Sequence, residues 1–370
     1  MPHAPEPAEE DCLGTVPSPP PVFHAEQALL ASLLLHPHRL GEVTGISGDS
    51  FASAAHAAVF TAVSTLPAPD PAEHTKNTTW LDQVLAAARK QAPGLTAFYL
   101  HSLIQSCPWA RHAPAYARMV EAEHARRRLR GAAERLVQTA HDSSLPCPVP
   151  TTLAQADMLA AVVDDIATRF PPRSGVLPRT PAPPGSSSGY AEAAEEEQLL
   201  LASAAGRPAE IDSVRWLVPE DFVRPLHAGL WQCLSAMARR HDPVDPVTVL
   251  WEAQQRGLLD DDAKPGEVLR LLADQPDGSV EYWGERILQR SLLATATRAG
   301  RHIEAYARDP TASPFQLVVG ARRALADLAA VRTRWKRATE PTPPAHTRPV
   351  PPARAGPPTA TAARSARTTR

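Results

Sequence analysis

The chain has 370 residues, with 38 Lys and Arg against 40 Asp and Glu and a formal net charge of −2. That length has room for two domains that each bury a core, and the near-zero charge does not by itself point to nucleic acid. Four scattered cysteines (Cys12, Cys107, Cys147 and Cys233) without a CxxC pair argue against a disulfide framework or a zinc site, and free thiols fit a reducing cytoplasm. No apolar run approaches the roughly 18 residues of a membrane span.

Residues 1–22 are proline-rich with four acidic residues and read as disordered. Glu26 to Leu35 is apolar nearly all round, the pattern of a buried helix. Shorter helices are expected at about 54–66, 80–90 and 95–105, then a long one over 114–140. Pro146, Pro148 and Pro150 break it, and a last helix runs 152–170. Its seam, Leu153, Ala156, Ala160, Val163, Ala167 and Phe170, alternates spacings of three and four, which suits a partner helix. Residues 171–190 are rich in Pro, Gly and Ser and read as a linker.

After the linker the chain repeats itself. Glu26-Gln27-Ala28-Leu29-Leu30-Ala31-Ser32 returns as Glu197-Gln198-Leu199-Leu200-Leu201-Ala202-Ser203, and Phe51, His56 and Phe60 return as Phe222, His227 and Trp231, all at an offset of 171. So long a period is a duplicated domain and not a solenoid unit. The second block also ends in two long helices, 279–308 and 314–337. Its seam is Leu317, Ala321, Ala324, Leu328, Val331 and Trp335. Strand-like alternation is almost absent and aromatics make up only 5% of the chain, so the cores are built from Leu, Ala and Val. The expected fold is all-α: two tandem domains, 23–170 and 191–338, each a compact helical head followed by a long helical hairpin. A basic, disordered tail follows at 339–370, where Arg348, Arg354, Arg364, Arg367 and Arg370 meet no acid beyond Glu340.

The second block resembles the N-terminal domain of the DnaB-like replicative DNA helicases. The residues that carry the likeness are Glu197-Gln198, Val218-Pro219-Glu220-Asp221-Phe222, His227, Asp242-Pro243-Val244-Asp245-Pro246-Val247-Thr248 and Arg256-Gly257-Leu258-Leu259. The first block keeps Glu26-Gln27, Phe51 and His56. It has Gly48-Asp49-Ser50 where the family has Pro-Glu-Asp, and Pro67 to Asn77 shows no trace of the Val-Asp-x-Val-Thr segment. The resemblance implies a non-catalytic collar whose hairpins pair two by two and which meets primase and other replication proteins, with the ATPase motor in a separate domain. None of the four lysines, Lys76, Lys90, Lys264 and Lys336, follows a glycine, so these 370 residues hold no Gly-Lys-Ser/Thr phosphate loop.

From these features the expected function is assembly: binding the replicative helicase, its loader or primase, with no cofactor and no catalytic or metal set. The partner surface is expected on the second copy, at Glu220, Phe222, Asp242 and Asp245. Tethered together, the two copies are expected to pair within the chain. Arg126, Arg127, Arg128 and Arg130 on the first hairpin, with the basic tail, offer a second reading as a DNA-binding or regulatory protein, although Glu123 stands one turn from Arg127 as an ordinary helix pair. A third reading is an accessory subunit of a helicase whose motor acts in trans. His56 and His227 fall at equivalent helix starts, which favours an internal role, and His36-Pro37-His38 has no third ligand at metal spacing. Asp260-Asp261-Asp262 reads as a solvated loop, and Trp216, Trp231, Trp251 and Trp283 read as core.

Overall fold

A computed structural model describes residues 18–106, 109–171, 190–259 and 264–340. The basic tail, nearly all of the linker, the Asp260 to Asp262 run and most of the acidic N-terminus lie outside the described residues. Among the described residues there are helices and no strands.

The first head holds α1 (Pro21–Leu35), α2 (Ala54–Thr65), α3 (Pro71–His74), α4 (Thr79–Ala88) and α5 (Ala97–Gln105), and the hairpin α6 (Ala113–His141) and α7 (Pro148–Arg169) follows. The second copy has α8 (Tyr190–Gly206), α9 (Pro225–Arg240), α10 (Pro246–Gln255) and α11 (Pro265–Ala273), then its hairpin α12 (Val280–Arg308) and α13 (Pro314–Thr339). Many starts follow capping chemistry. Pro21 opens α1 at the first helical position, Asp70 accepts from the backbone amides of Ala72 and Glu73 at α3, and Ser279 and Ser313 cap α12 and α13. The segment after Leu66 forms a single helical turn, α3, whose His74 Nε2 lies 2.8 Å from the Leu34 carbonyl and whose ring stacks edge-on against Trp80.

The two hairpins pack against each other within the chain. α6 runs antiparallel to α12 and α7 to α13. At the crossing, Gly300 faces Ala133. A Cβ on Gly300 would stand 2.5 Å from Val137 Cγ2 and 3.1 Å from the Ala133 carbonyl, so only glycine admits this approach. Ala133 and Gly300 are each the twenty-first residue of helices 29 residues long. The contact therefore lies on a pseudo-two-fold axis, as an isologous pairing requires. Arg322 to Asp164 (2.8 Å) and Arg332 to Asp157 (Nη2, 3.0 Å) link α13 to α7 at the surface.

The expected α13 seam is buried from Leu317 to Val331, with Trp335 half-buried at its end. In α7 the expected Ala156, Val163 and Phe170 are buried, but Leu159 and Ile166 join them in the interior while Leu153, Ala160 and Ala167 are only half-buried. The larger side chains have taken the interior, because burying a Leu or Ile stabilises more than burying an Ala.

The packing units cut across the repeat boundary. One apolar core joins both hairpins to the second head, while the first head has its own core that ends at Val120 on α6. Between Val120 and Ala125 lies a polar layer. There Arg127 Nη2 donates to the Ser50 carbonyl (2.7 Å), and Arg169 stands 3.8 Å from Glu121. Burial, with Arg127, Arg128 and Arg169 nearby, lowers the pKa of His124, and Asp49 opposes this. Burial raises that of Glu121, against Arg169 and Arg118.

Two outcomes are expected. Gly300→Leu overpacks the crossing and costs about 1–3 kcal/mol, read by denaturant unfolding. For His124, the neutral form is favoured in the folded chain. Its contribution is complete above the ordinary imidazole value near 6.5 and is lost as the pH falls below it. Wild type should therefore lose stability on acidification from neutral pH more steeply than His124→Asn, and equal slopes would contradict this joint.

Candidate interaction surfaces

The paired Glu and His of the repeat form the same buried unit in each head. Glu26 Oε2 lies 2.6 Å from His56 Nδ1, and its Oε1 accepts from the Ala52 amide at 2.6 Å. Glu197 Oε2 lies 2.9 Å from His227 Nδ1, and its Oε1 accepts from the Val223 amide at 2.6 Å. All four side chains are almost fully buried. Each carboxylate thereby ties the first helix of its head to the turn before the next long helix. The histidines are internal, and among the described residues no three His, Cys, Asp or Glu are placed to hold a metal ion.

Beyond that unit the copies differ. Arg290 of α12 donates to Glu197 (2.7 Å), Glu196 (2.9 Å) and the Ala193 carbonyl (2.9 Å). Asp221, 3% exposed, accepts from the Val218 amide, from Ser291 Oγ (2.6 Å) and from both terminal nitrogens of Arg334. The second head is thus tied to both helices of its hairpin. At the matching turn of the first head stands Ser50, whose hydroxyl accepts from the Ser47 amide (3.1 Å). Asp221→Ala would leave Arg334 facing a partly buried vacancy. It should cost about 3 kcal/mol or more in urea unfolding, whereas Ser50→Ala should cost about 1 kcal/mol.

The arginine run does not form a free basic face. Arg126 hydrogen-bonds the carbonyls of Ala307 (3.4 Å), Asp309 and Ala312 (2.8 Å) at the α12–α13 turn and pairs with Glu123 (3.1 Å). Arg127 holds Ser50, and Arg128 pairs with Asp165, whose carboxyl it keeps below the usual range. Arg130 is exposed and pairs with Glu134 at 2.8 Å. Three of the four arginines thus act inside the chain, and Arg126 serves the pairing of the copies.

Nor do the four expected partner residues form one patch. Glu220 and Phe222 precede α9, and Asp242 and Asp245 follow it, so 16 helical residues, about 24 Å, lie between the two pairs. Glu220 is exposed, and Phe222 is half-buried with its ring 6.1 Å from that of Trp231. Asp245 caps α10 through the amides of Val247 (2.8 Å) and Thr248 (3.0 Å). Asp242 pairs with Arg240 at 2.6 Å.

Asp242 does, however, border a feature absent from the sequence reading. Met237, Pro243, Val247 and Trp251 line a shallow depression of about 380 Å³, rimmed by Arg240, Asp242 and Glu252. Val247 is 66% exposed and Trp251 62% exposed, so Trp251 is not a core residue as its neighbours led one to expect; Trp231 is buried, and Trp216 and Trp283 pack at the core's edge. The signal was in the register of α10. Val249 and Ala253 are buried, which turns Val247 and Trp251 outward. The first copy has the same register in Val84-Leu85-x-x-Ala88, with Val84 and Ala88 buried, and sets exposed Asp82 and Ala86 at the outward positions. Folding of this element therefore does not require the outward Val and Trp.

The sequence model of the DnaB-like helicase N terminal domain matches residues 18–122 and 191–289, together more than half of the chain. The replicative DNA helicase DnaB of Mycobacterium leprae is 26% identical over 147 residues, 40% of this chain and 24% of that protein, so the match spans about a quarter of the relative's length. The crystal structure of the N-terminal domain of DnaB helicase from Mycobacterium tuberculosis is 25% identical, with 36% of this chain and 94% of that chain covered and a TM-score of 0.32. The chain belongs to the DnaB-like helicase N-terminal domain family.

Proposed function

We propose that this chain is a non-catalytic assembly protein of the replication machinery, which binds the replicative helicase, its loader or primase through its second head. The observation that carries the reading is the exposed Val247 and Trp251 beside Asp242. Exposed aromatic anchors with a charged rim are the composition of a protein–protein hot spot. The first copy has Asp82 and Ala86 instead, so both copies build the paired block and only the second presents the anchor. The absence of a Gly-Lys-Ser/Thr sequence in these residues supports a role without ATP turnover.

The DNA-binding reading is favoured less, since Arg126, Arg127 and Arg128 are occupied within the chain. The reading as a helicase accessory subunit requires a motor in trans and shares the same partner surface.

Purified helicase, loader and primase from the host should each be tested for capture by the full chain. Trp251→Ala with Val247→Asp should weaken binding of the true partner by about tenfold or more, while Asp82→Ala should leave it unchanged. Capture that survives the double substitution would remove this surface from the account. The purified chain should show no ATP turnover above background, and turnover that persists through further purification would contradict the non-catalytic reading.

A further inference from the structure

The charge of the chain is unevenly placed. Residues 191–279, the second head, carry 17 Asp and Glu against 8 Lys and Arg, while the first head, 23–112, carries 6 against 5. Residues 341–370 carry five arginines and no acid. An acidic head and a basic segment therefore belong to one chain, and the helix that precedes the segment is fixed to that head. Near the end of α13, Arg334 hydrogen-bonds Trp216 and Asp221 of that head, and α13 closes at Thr339.

The segment also has the chemistry of the depression. Arg348-Pro349-Val350-Pro351-Pro352-Ala353-Arg354 places prolines between two arginines. Proline-rich segments dock on aromatic-lined grooves, because the indole face packs on the pyrrolidine rings and little chain entropy is lost. Trp251, Pro243, Met237 and Val247 supply that apolar lining, and Asp242 and Glu252 stand at its rim. Asp242 now pairs with Arg240 at 2.6 Å, and Glu252 pairs with Arg256 at 2.7 Å and with Arg240 at 3.3 Å. Such exposed pairs contribute little and exchange readily for another guanidinium. Arg334 sits at the Asp221 end of α9, about 24 Å of helix from Asp242 at the depression, and the eight residues from Glu340 to Arg348 extend up to roughly 27 Å, enough to span it.

We propose that Arg348–Arg354 docks in the Val247/Trp251 depression of the same chain's second head, so that the tail covers the surface a partner would use. This rests on the reading of that depression as a binding surface and adds its regulation. Tethering sets an effective concentration on the order of millimolar, so a weak contact suffices to occupy the groove, and a partner must displace it.

The test uses the full chain labelled with fluorotryptophan. Of the seven tryptophan signals, the one lost in Trp251→Phe is that of Trp251. With docking, this signal shifts in Arg348→Glu/Arg354→Glu and in Pro349→Ala/Pro351→Ala/Pro352→Ala, the other six stay in place, and the wild-type signal moves the same way as salt is raised. The tail variants alter no described helix, so folding is not at stake. A Trp251 signal identical in wild type and both variants overturns the proposal. So does a shift that grows with protein concentration, which assigns the tail to a second copy. The readout needs no partner, so its failure is separate from failure of the partner reading, which Trp251→Ala capture decides.

Discussion

The structure depends on one close approach: α6 against α12, where Gly300 lets the helices meet at Ala133. The other contacts that join the copies flank that crossing. The Arg126 guanidinium lies on the carbonyls of the α12–α13 turn, and α7 lies beside α13. The apolar seams of both hairpins then cover one another, and neither is left facing water. The resemblance to the helicase collar leads one to expect hairpins that pair two by two. Here the partner is tethered, so the pairing is intramolecular and its entropy cost is reduced.

Around that shared block the two heads have diverged in how they are held. Both keep the buried Glu–His unit, which fixes the first helix to the turn that follows. Only the second adds Arg290 on the Glu and Arg334 on Asp221, and only the second shares its apolar core with the hairpins. A head held this rigidly makes a good platform, because a binding surface on fixed elements loses less freedom when it is occupied. The exposed Val247 and Trp251 lie on that platform. The first head, joined through a polar layer at Glu121 to His124, carries no such anchor at the matching positions.

The helical fold was legible in the sequence because its signals are local. The duplicated Glu-Gln helix, the prolines at helix starts and the three-four spacing of the α13 seam are each read from neighbours. The pairing of the hairpins followed from those seams plus the tether. On α7 the burial of Ala156, Val163 and Phe170 was legible but that of Leu159 and Ile166 was not, because Ala160 and Ala167 fit the same spacing and only the packing decides between neighbouring positions. The arginine run looked like a basic face because its partners, Ser50, Asp165 and the α12–α13 carbonyls, are 37 to 186 residues distant in sequence. Trp251 reads as core in the sequence because an indole among apolar neighbours usually is. Its exposure depends on how α10 is rotated by Val249 and Ala253.

The central claim is that one chain supplies both halves of the paired block. It is tested most directly by mixing chains grown in ordinary and ¹⁵N medium and cross-linking carboxylates, since Glu134, Asp157 and Asp164 on one hairpin and Glu304 and Asp327 on the other supply acids to both sides. Linked peptides that join the first hairpin to the second should carry a single isotope, both ordinary or both heavy. Pairs of mixed isotope at the statistical proportion would show that the hairpins meet between chains, and would contradict the account.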